Sequence, residues 1–218
     1  MGKKRLEDAL QKIGHPVKVE YRSFELDPSI ERDAGYNIYE KLASKYGMSL
    51  EQAKANCNNM EQMAQEVGLD FRFDTQILTN TFDAHRLVAF ARTKGQMHEM
   101  TERLLRAYYT ESKHIGNHST LTELAGDVGL NQEAVADMLA SNDFSDAVRQ
   151  DERKAEQYGI RSIPFFLINK KYAVTGAQSS ETFVQSLQQI IEQDDLLTDG
   201  NEQDGAACDD DGCEIQKK

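Results

Sequence analysis

The chain has 218 residues, of which 39% are hydrophobic and 28% charged, enough for one large domain, or a domain with an insertion, to bury a core without disulfides. Its formal net charge of -12 argues against a phosphate-backbone partner, because nucleic-acid binding depends on Lys and Arg displacing counterions. No apolar run approaches the roughly 20 residues of a membrane span. Three cysteines are too few for a secreted disulfide framework, and their odd number leaves at least one thiol free.

In chain order, residues 3–12 place Leu6, Ala9, Leu10 and Ile13 at helical spacing, and Gly14-His15-Pro16 stops the run. Lys3, Lys4 and Arg5 precede no apolar leader core, so the cytoplasm is the expected compartment. Residues 17–24 alternate apolar and polar side chains up to the turn signal Asp27-Pro28, which predicts a strand. Residues 30–142 carry helix signals only. Asn80 or Thr81 can cap a helix over 82–94 that Gly95 ends, and Thr120 with Glu123 forms a capping box ahead of Leu124. The stripe Met97, Met100, Leu104 and Tyr108 reads as helix-packing core.

A further helix over 145–158 closes on Gly159. The chain then turns β-like through residues 160–168, and Asn169-Lys170-Lys171 makes a tight hairpin into a strand over 172–175. A last helix over 181–192 presents Phe183, Val184, Leu187, Ile190 and Ile191 on one face. Beyond Asp194 the acidic, Gly-rich tail predicts disorder. Pro164 stands at the mouth of the strand Phe165-Phe166-Leu167-Ile168, and two readings of it remain open on residues alone. Proline is tolerated at a first strand position, where its missing N–H matters least, and X-Pro is also the common place for a cis bond in a specified turn.

The run YGIRSIPFFLI at 158–168 resembles the cis-proline loop and third strand of DsbA-like thioredoxin folds. GKKRLEDAL at 2–10, YRSFELDP at 21–28 and NTFDAHRL at 80–87 resemble, in the same order, the FrnE-like subgroup of that family. The resemblance runs from Gly2 to about Glu192. It implies an α/β fold, a thioredoxin-like sheet core over 1–28 and 144–193, interrupted by an inserted all-helical domain over 29–143 and followed by a flexible acidic tail over 194–218. Family members open on a strand and a Cys-x-x-Cys, whose first thiol sits at a helix N-terminus and is made a thiolate by the positive helix end. In this chain Met1-Gly2-Lys3-Lys4 stands at that place, so no catalytic residue is assigned and the first, central core strand is expected to be missing. The substrate loop is Ile163 and Pro164.

The activity that the resemblance implies is thiol-disulfide oxidoreductase or isomerase chemistry on protein thiols, absent or impaired in residues 1–218 alone. Glutathione or a thioredoxin-type reductant is a possible partner, and no cofactor is expected. Two rivals remain: a glutathione-dependent isomerase of the 2-hydroxychromene-2-carboxylate isomerase or kappa glutathione transferase type, and a non-catalytic protein that holds extended peptide against the Pro164 loop.

Cys208 and Cys213 form a C-x4-C in the tail, a spacing that also resembles FrnE-like proteins. It can close a small disulfide loop, and the tail, spanning about 20 Å r.m.s., can reach a thioredoxin-type site as an auxiliary redox pair; two exposed thiols are the alternative. Asp209, Asp210, Asp211 and Glu214 disfavour the thiolate there. Two thiolates fall short of a four-ligand zinc site, so no metal is expected. Cys57 reads as a plain buried or half-buried thiol. His85 either faces a cleft between the two subdomains or is a hydrogen-bonded structural histidine. His98, His114 and His118 show no ligand spacing.

Overall fold

The computed structural model describes residues 1–201, with side chains through Gln193. Its elements are α1 (Gly2–Ile13), α2 (Ile38–Tyr46), α3 (Leu50–Gln65), α4 (Phe82–Thr93), α5 (Met97–Tyr109), α6 (His118–Asp127), α7 (Gln132–Ala140), α8 (Ser145–Gln157), β1 (Phe165–Ile168), β2 (Tyr172–Thr175) and α9 (Ser180–Asn201). Gly14 and Gly159 both adopt the left-handed conformation that ends a helix, as their positions in the sequence lead one to expect.

The helices α4 to α7 enclose the larger core. Leu87 and Phe90 of α4, Met100 and Leu104 of α5, Leu121 and Leu124 of α6, and Val135 and Leu139 of α7 are buried together, with Phe144 packed edge-on against Phe90. A smaller core lies under the hairpin, where α1 packs on α9 and Phe166 meets the fully buried Phe183 edge-on at 4.8 Å. In the hairpin β1 and β2 pair antiparallel, with Phe165 opposite Thr175. Asn169 and Lys170, both at positive φ, turn the chain, and the Lys171 N–H donates to the Ile168 carbonyl.

Three expectations need correction. Residues 17–24 are extended but form no strand. Alternation records which side chains face inward, whereas a strand also needs a ladder partner, and among the described residues β1 pairs with β2 only. The Ser23 N–H instead donates to the Asp151 carboxylate, and Val17 and Val19 stay exposed. Thr120 and Glu123 form no capping box. Helix α6 begins earlier because the Asn117 side chain accepts from both Ser119 and Thr120 N–H, which puts Thr120 inside the first turn. Finally, α9 continues past Asp194 to Asn201. At α4, Asn80 rather than Thr81 provides the cap, its Oδ1 accepting from the Phe82 N–H.

The most constrained charge in the helical region is Arg86, only 4% exposed. Its Nε donates to the Asp143 carbonyl, and its Nη2 donates to the Met138 and Ser141 carbonyls at the end of α7. Nη1 completes the set on Asp83 at 2.7 Å. The other Asp83 oxygen binds Arg32 Nη2 at 2.8 Å and His118 Nε2 at 2.7 Å. Burial alone would raise the Asp83 pKa, but the Arg86 and His118 hydrogen bonds outweigh it and hold the carboxyl below its ordinary value. One ion-paired cluster thereby joins α4, α6, the end of α7 and the loop carrying Arg32. Replacing Arg86 with Met keeps the apolar stem but leaves Asp83 and three carbonyls short of a donor. The expected loss is about 3–5 kcal/mol, read from urea unfolding, and a loss within the noise of a surface substitution would contradict this role.

Candidate functional site

Helix α1 starts without a side-chain cap and with no acid in its first turn, so its free N–H groups leave the positive end of the helix dipole uncompensated there, while Lys3 and Lys4 are paired with acids. Lys3 is shared between Glu7 on its own helix, at 2.7 Å, and Glu102 on α5. Burial works against the Lys3 charge, yet the hydrogen bonds to Glu102 and Glu7 raise its pKa overall. Tyr21 OH lies 3.1 Å from His98 Nδ1, and the other His98 nitrogen lies 3.6 Å from Glu7. The first turn of α1 is thus tied to α5 and to the extended segment by a polar group that spans 99 positions of sequence at Lys3 and Glu102.

The same helix end lies against the Pro164 loop. A Cβ built on Gly2 would stand 2.8 Å from Pro164 Cγ and 3.3 Å from Phe166 Cζ, so only a glycine lets the backbone approach this closely. The Gly176 N–H donates to the Pro164 carbonyl at 2.8 Å, and Arg5 Nη1 donates to the neighbouring Ala177 carbonyl at 2.6 Å. The Ile163–Pro164 bond is cis, which answers the geometric question that the residues left open. Ile163 is 46% exposed beside the helix end. This mouth is the candidate site: the N-terminus of α1, a loop pinned from behind, and the partly exposed Ile163 next to it.

The other residues singled out in the sequence lie apart from one another. His85 sits half-buried on α4, hydrogen-bonded to the Phe24 backbone. Burial lowers its pKa below the ordinary 6.5, against the pull of Glu152 and Asp151. Its partners are therefore those of the α4–α8 seam. Cys57 is buried in α3, where burial and then Glu61 push its thiol pKa up, the wrong direction for a nucleophile. Cys208 and Cys213 lie outside the described residues. Sequence reasoning missed Glu102, Tyr21 and His98 at the mouth, since nothing local marks residues that meet only through the fold. Among the described residues no three His, Cys, Asp or Glu side chains are grouped to hold a metal ion, and no helix is long and apolar enough to cross a membrane.

Comparison with known proteins bears on the same region. The family model for DSBA-like thioredoxin domains matches residues 1–188. The fold superposes on the crystal structure of a probable DsbA oxidoreductase from Streptomyces coelicolor with a TM-score of 0.83 and 35% identity, covering 99% of this chain and 93% of that one. It also resembles a 2-hydroxychromene-2-carboxylate isomerase (TM-score 0.68, 15% identity, 90% and 91% coverage), a likeness of fold alone. Among curated sequences, the uncharacterized protein YwbO of Bacillus subtilis is 26% identical over 189 residues, 86% of this chain and 88% of its own length.

Two outcomes are expected here. Gly2→Ala forces a methyl against Pro164 and lowers stability by about 1–3 kcal/mol, whereas Gly35→Ala, where the methyl meets nothing within 4 Å, changes little. Thermal unfolding of the pair checks this, and equal melting temperatures would remove the close approach from the account. For His85, whose folded pKa is depressed, the stabilising contribution is complete above about pH 6.5 and is lost as the pH falls below it. The stability difference between the wild type and His85→Gln should therefore shrink or reverse on acidification through that range, and a pH-independent difference would count against it.

Proposed function

Because the chain belongs to the family of DSBA-like thioredoxin domains, we propose that it is the scaffold of a thiol-disulfide oxidoreductase or isomerase acting on protein thiols, with substrate held at the mouth between α1 and the Ile163–Pro164 loop. The observation that carries this reading is the Gly2–Pro164 approach, which puts an uncapped helix N-terminus, the positive end of its dipole, beside the Ile163–Pro164 loop. A thiol placed at such an end is stabilised as thiolate, and a second thiol nearby resolves the mixed disulfide formed with substrate. Ile163 then offers backbone groups to an extended substrate segment, as a strand edge does.

The chain's three cysteines are Cys57, Cys208 and Cys213, none of them adjacent to Gly2 in sequence. Residues 1–218 alone therefore carry out no dithiol exchange at this mouth, and the chemistry requires a Cys-x-x-Cys brought to the start of α1. Glutathione or a thioredoxin-type protein is the natural redox partner. Cys208 and Cys213 form an auxiliary pair that exchanges with the helix-end thiol. The cytoplasm suits a chain that keeps Cys57 as a buried free thiol.

The test compares three chains: residues 1–218, the same chain extended upstream by about 15 residues with a strand and Cys-x-x-Cys, and that extension with both cysteines changed to serine. Only the Cys-x-x-Cys form should reduce insulin with glutathione as electron donor, and it should melt at a higher temperature than residues 1–218. A folded Cys-x-x-Cys form that leaves insulin untouched, or equal turnover by all three, would sink the proposal. Alkylation and mass mapping of residues 1–218 should find Cys208 bridged to Cys213 with Cys57 free. A bridge from Cys57 to either tail cysteine would contradict the auxiliary role.

A further inference from the structure

Acids are unevenly spread along this chain. Its 37 Asp and Glu in 218 residues average about one in every six positions, yet residues 157–180 contain none. That stretch holds the Ile163–Pro164 loop and the β1–β2 hairpin, and it carries the cations Arg161, Lys170 and Lys171. Burial does not account for the missing acids, because Arg161, Ser162, Ile163, Leu167 and Asn169 are all exposed. The nearest acids in sequence, Glu156 and Glu181, belong to α8 and α9 on either side.

Most cations of α1 are already neutralised. Lys3 is bound to Glu7 and Glu102, Lys4 to Asp8, and Lys12 to Glu181. Arg5 differs: it donates to the neutral Ala177 carbonyl, so its charge is held beside the loop rather than cancelled. Arg161, two residues before Ile163, forms no ion pair or side-chain hydrogen bond among the described residues. An exposed guanidinium in that state offers a planar fork of donors to a carboxylate. The uncompensated end of the α1 dipole acts in the same direction. The net charge of -12 acts in the opposite one, favouring basic partners at long range. At ~0.15 M salt the Debye length is about 8 Å, so charges farther from the loop are largely screened and the arginines beside it decide.

We propose that Arg161 selects substrate at this mouth, favouring disulfide-bearing segments with acidic residues flanking the cysteine. The proposal rests on the docking of substrate at the Ile163–Pro164 loop. A segment lying extended beside Ile163 advances about 3.3 Å per residue, as the chain from Ile163 back to Arg161 does. An acid two positions from the docked cysteine therefore comes within reach of the Arg161 side chain. Arg161 makes and breaks no bond; it determines which segment is held. Because the contact is an exposed ion pair, it changes affinity only about threefold to fivefold.

The test is amide NMR of the isotope-labelled full chain at ~0.15 M salt. Two blocked probes are titrated, each a disulfide-linked dimer of the same short peptide, one with glutamates and the other with lysines flanking the cysteine. The glutamate probe should bind about threefold to fivefold more tightly, with shifts at Ile163. Arg161→Ala should abolish the preference, and Arg161→Lys, which restores the charge, should keep most of it. Arg72→Ala removes the same unit of charge from the Asp70 pair in the helical region and should leave the preference unchanged. Equal affinities, or a preference for the lysine probe, overturn the acidic selectivity while leaving docking at the mouth intact. A glutamate preference that survives Arg161→Ala overturns the role of Arg161. If neither probe shifts Ile163, docking at the mouth fails and the selectivity fails with it.

Discussion

The mouth of this protein depends on a steric constraint: the backbone of Gly2 must come close enough to Pro164 to leave no room for a side chain. Several features act together to keep it there. Helix α1 lies along α9, Phe183 fills the space beneath Phe166, and the hairpin turn returns β2 so that Gly176 and Ala177 hold Pro164 and Arg5 from behind. None of these contacts is chemical in the catalytic sense. They fix a helix N-terminus and the Ile163–Pro164 loop in one place, and it is on this preorganisation that the proposed thiol chemistry rests.

The helical region is held by a different logic. Its apolar core would tolerate several arrangements of four helices, but a buried guanidinium needing four acceptors tolerates few. Arg86 finds carbonyls at the end of α7 and a carboxylate on its own helix, and Asp83 then recruits His118 and Arg32. The loop through Arg32 is further held by Thr79 Oγ1, which donates to the Arg32 carbonyl, and by the Asn80 N–H, which donates to the Glu31 carbonyl. Asn80 serves both regions: it caps α4 and reaches Glu25 and the Pro28 carbonyl. The two cores therefore meet across a polar seam.

Much of this was legible locally. Glycines at 14, 95 and 159 marked helix ends, the periodic stripe through Met100 and Leu104 marked a core face, and Asn169-Lys170 marked a hairpin, because each signal is carried by neighbours in sequence. The strand expected over 17–24 failed because alternation is a property of one segment and pairing a property of two. The capping box at Thr120 failed because Asn117 competed for the same N–H groups from a better position. At the mouth, Pro164 was marked by its place before an apolar run, but Gly2 was read only as part of a motif. Glu102 and His98 carry no local signal, since their partners are set by how α5 comes to lie beside α1. His85 pointed towards the right seam, though its environment there favours a neutral structural ring.

The central claim is that substrate docks at the mouth formed by α1 and the Ile163–Pro164 loop, and it can be tested without any thiol. Amide NMR of isotope-labelled chain titrated with an oxidised, disulfide-containing peptide reads the contact surface residue by residue. The account predicts shifts concentrated at Gly2, Lys3, Ile163 and Gly176, with α2 and α3 unchanged. Shifts centred on α2 and α3, or spread evenly over the helical core with none at Ile163, would contradict it.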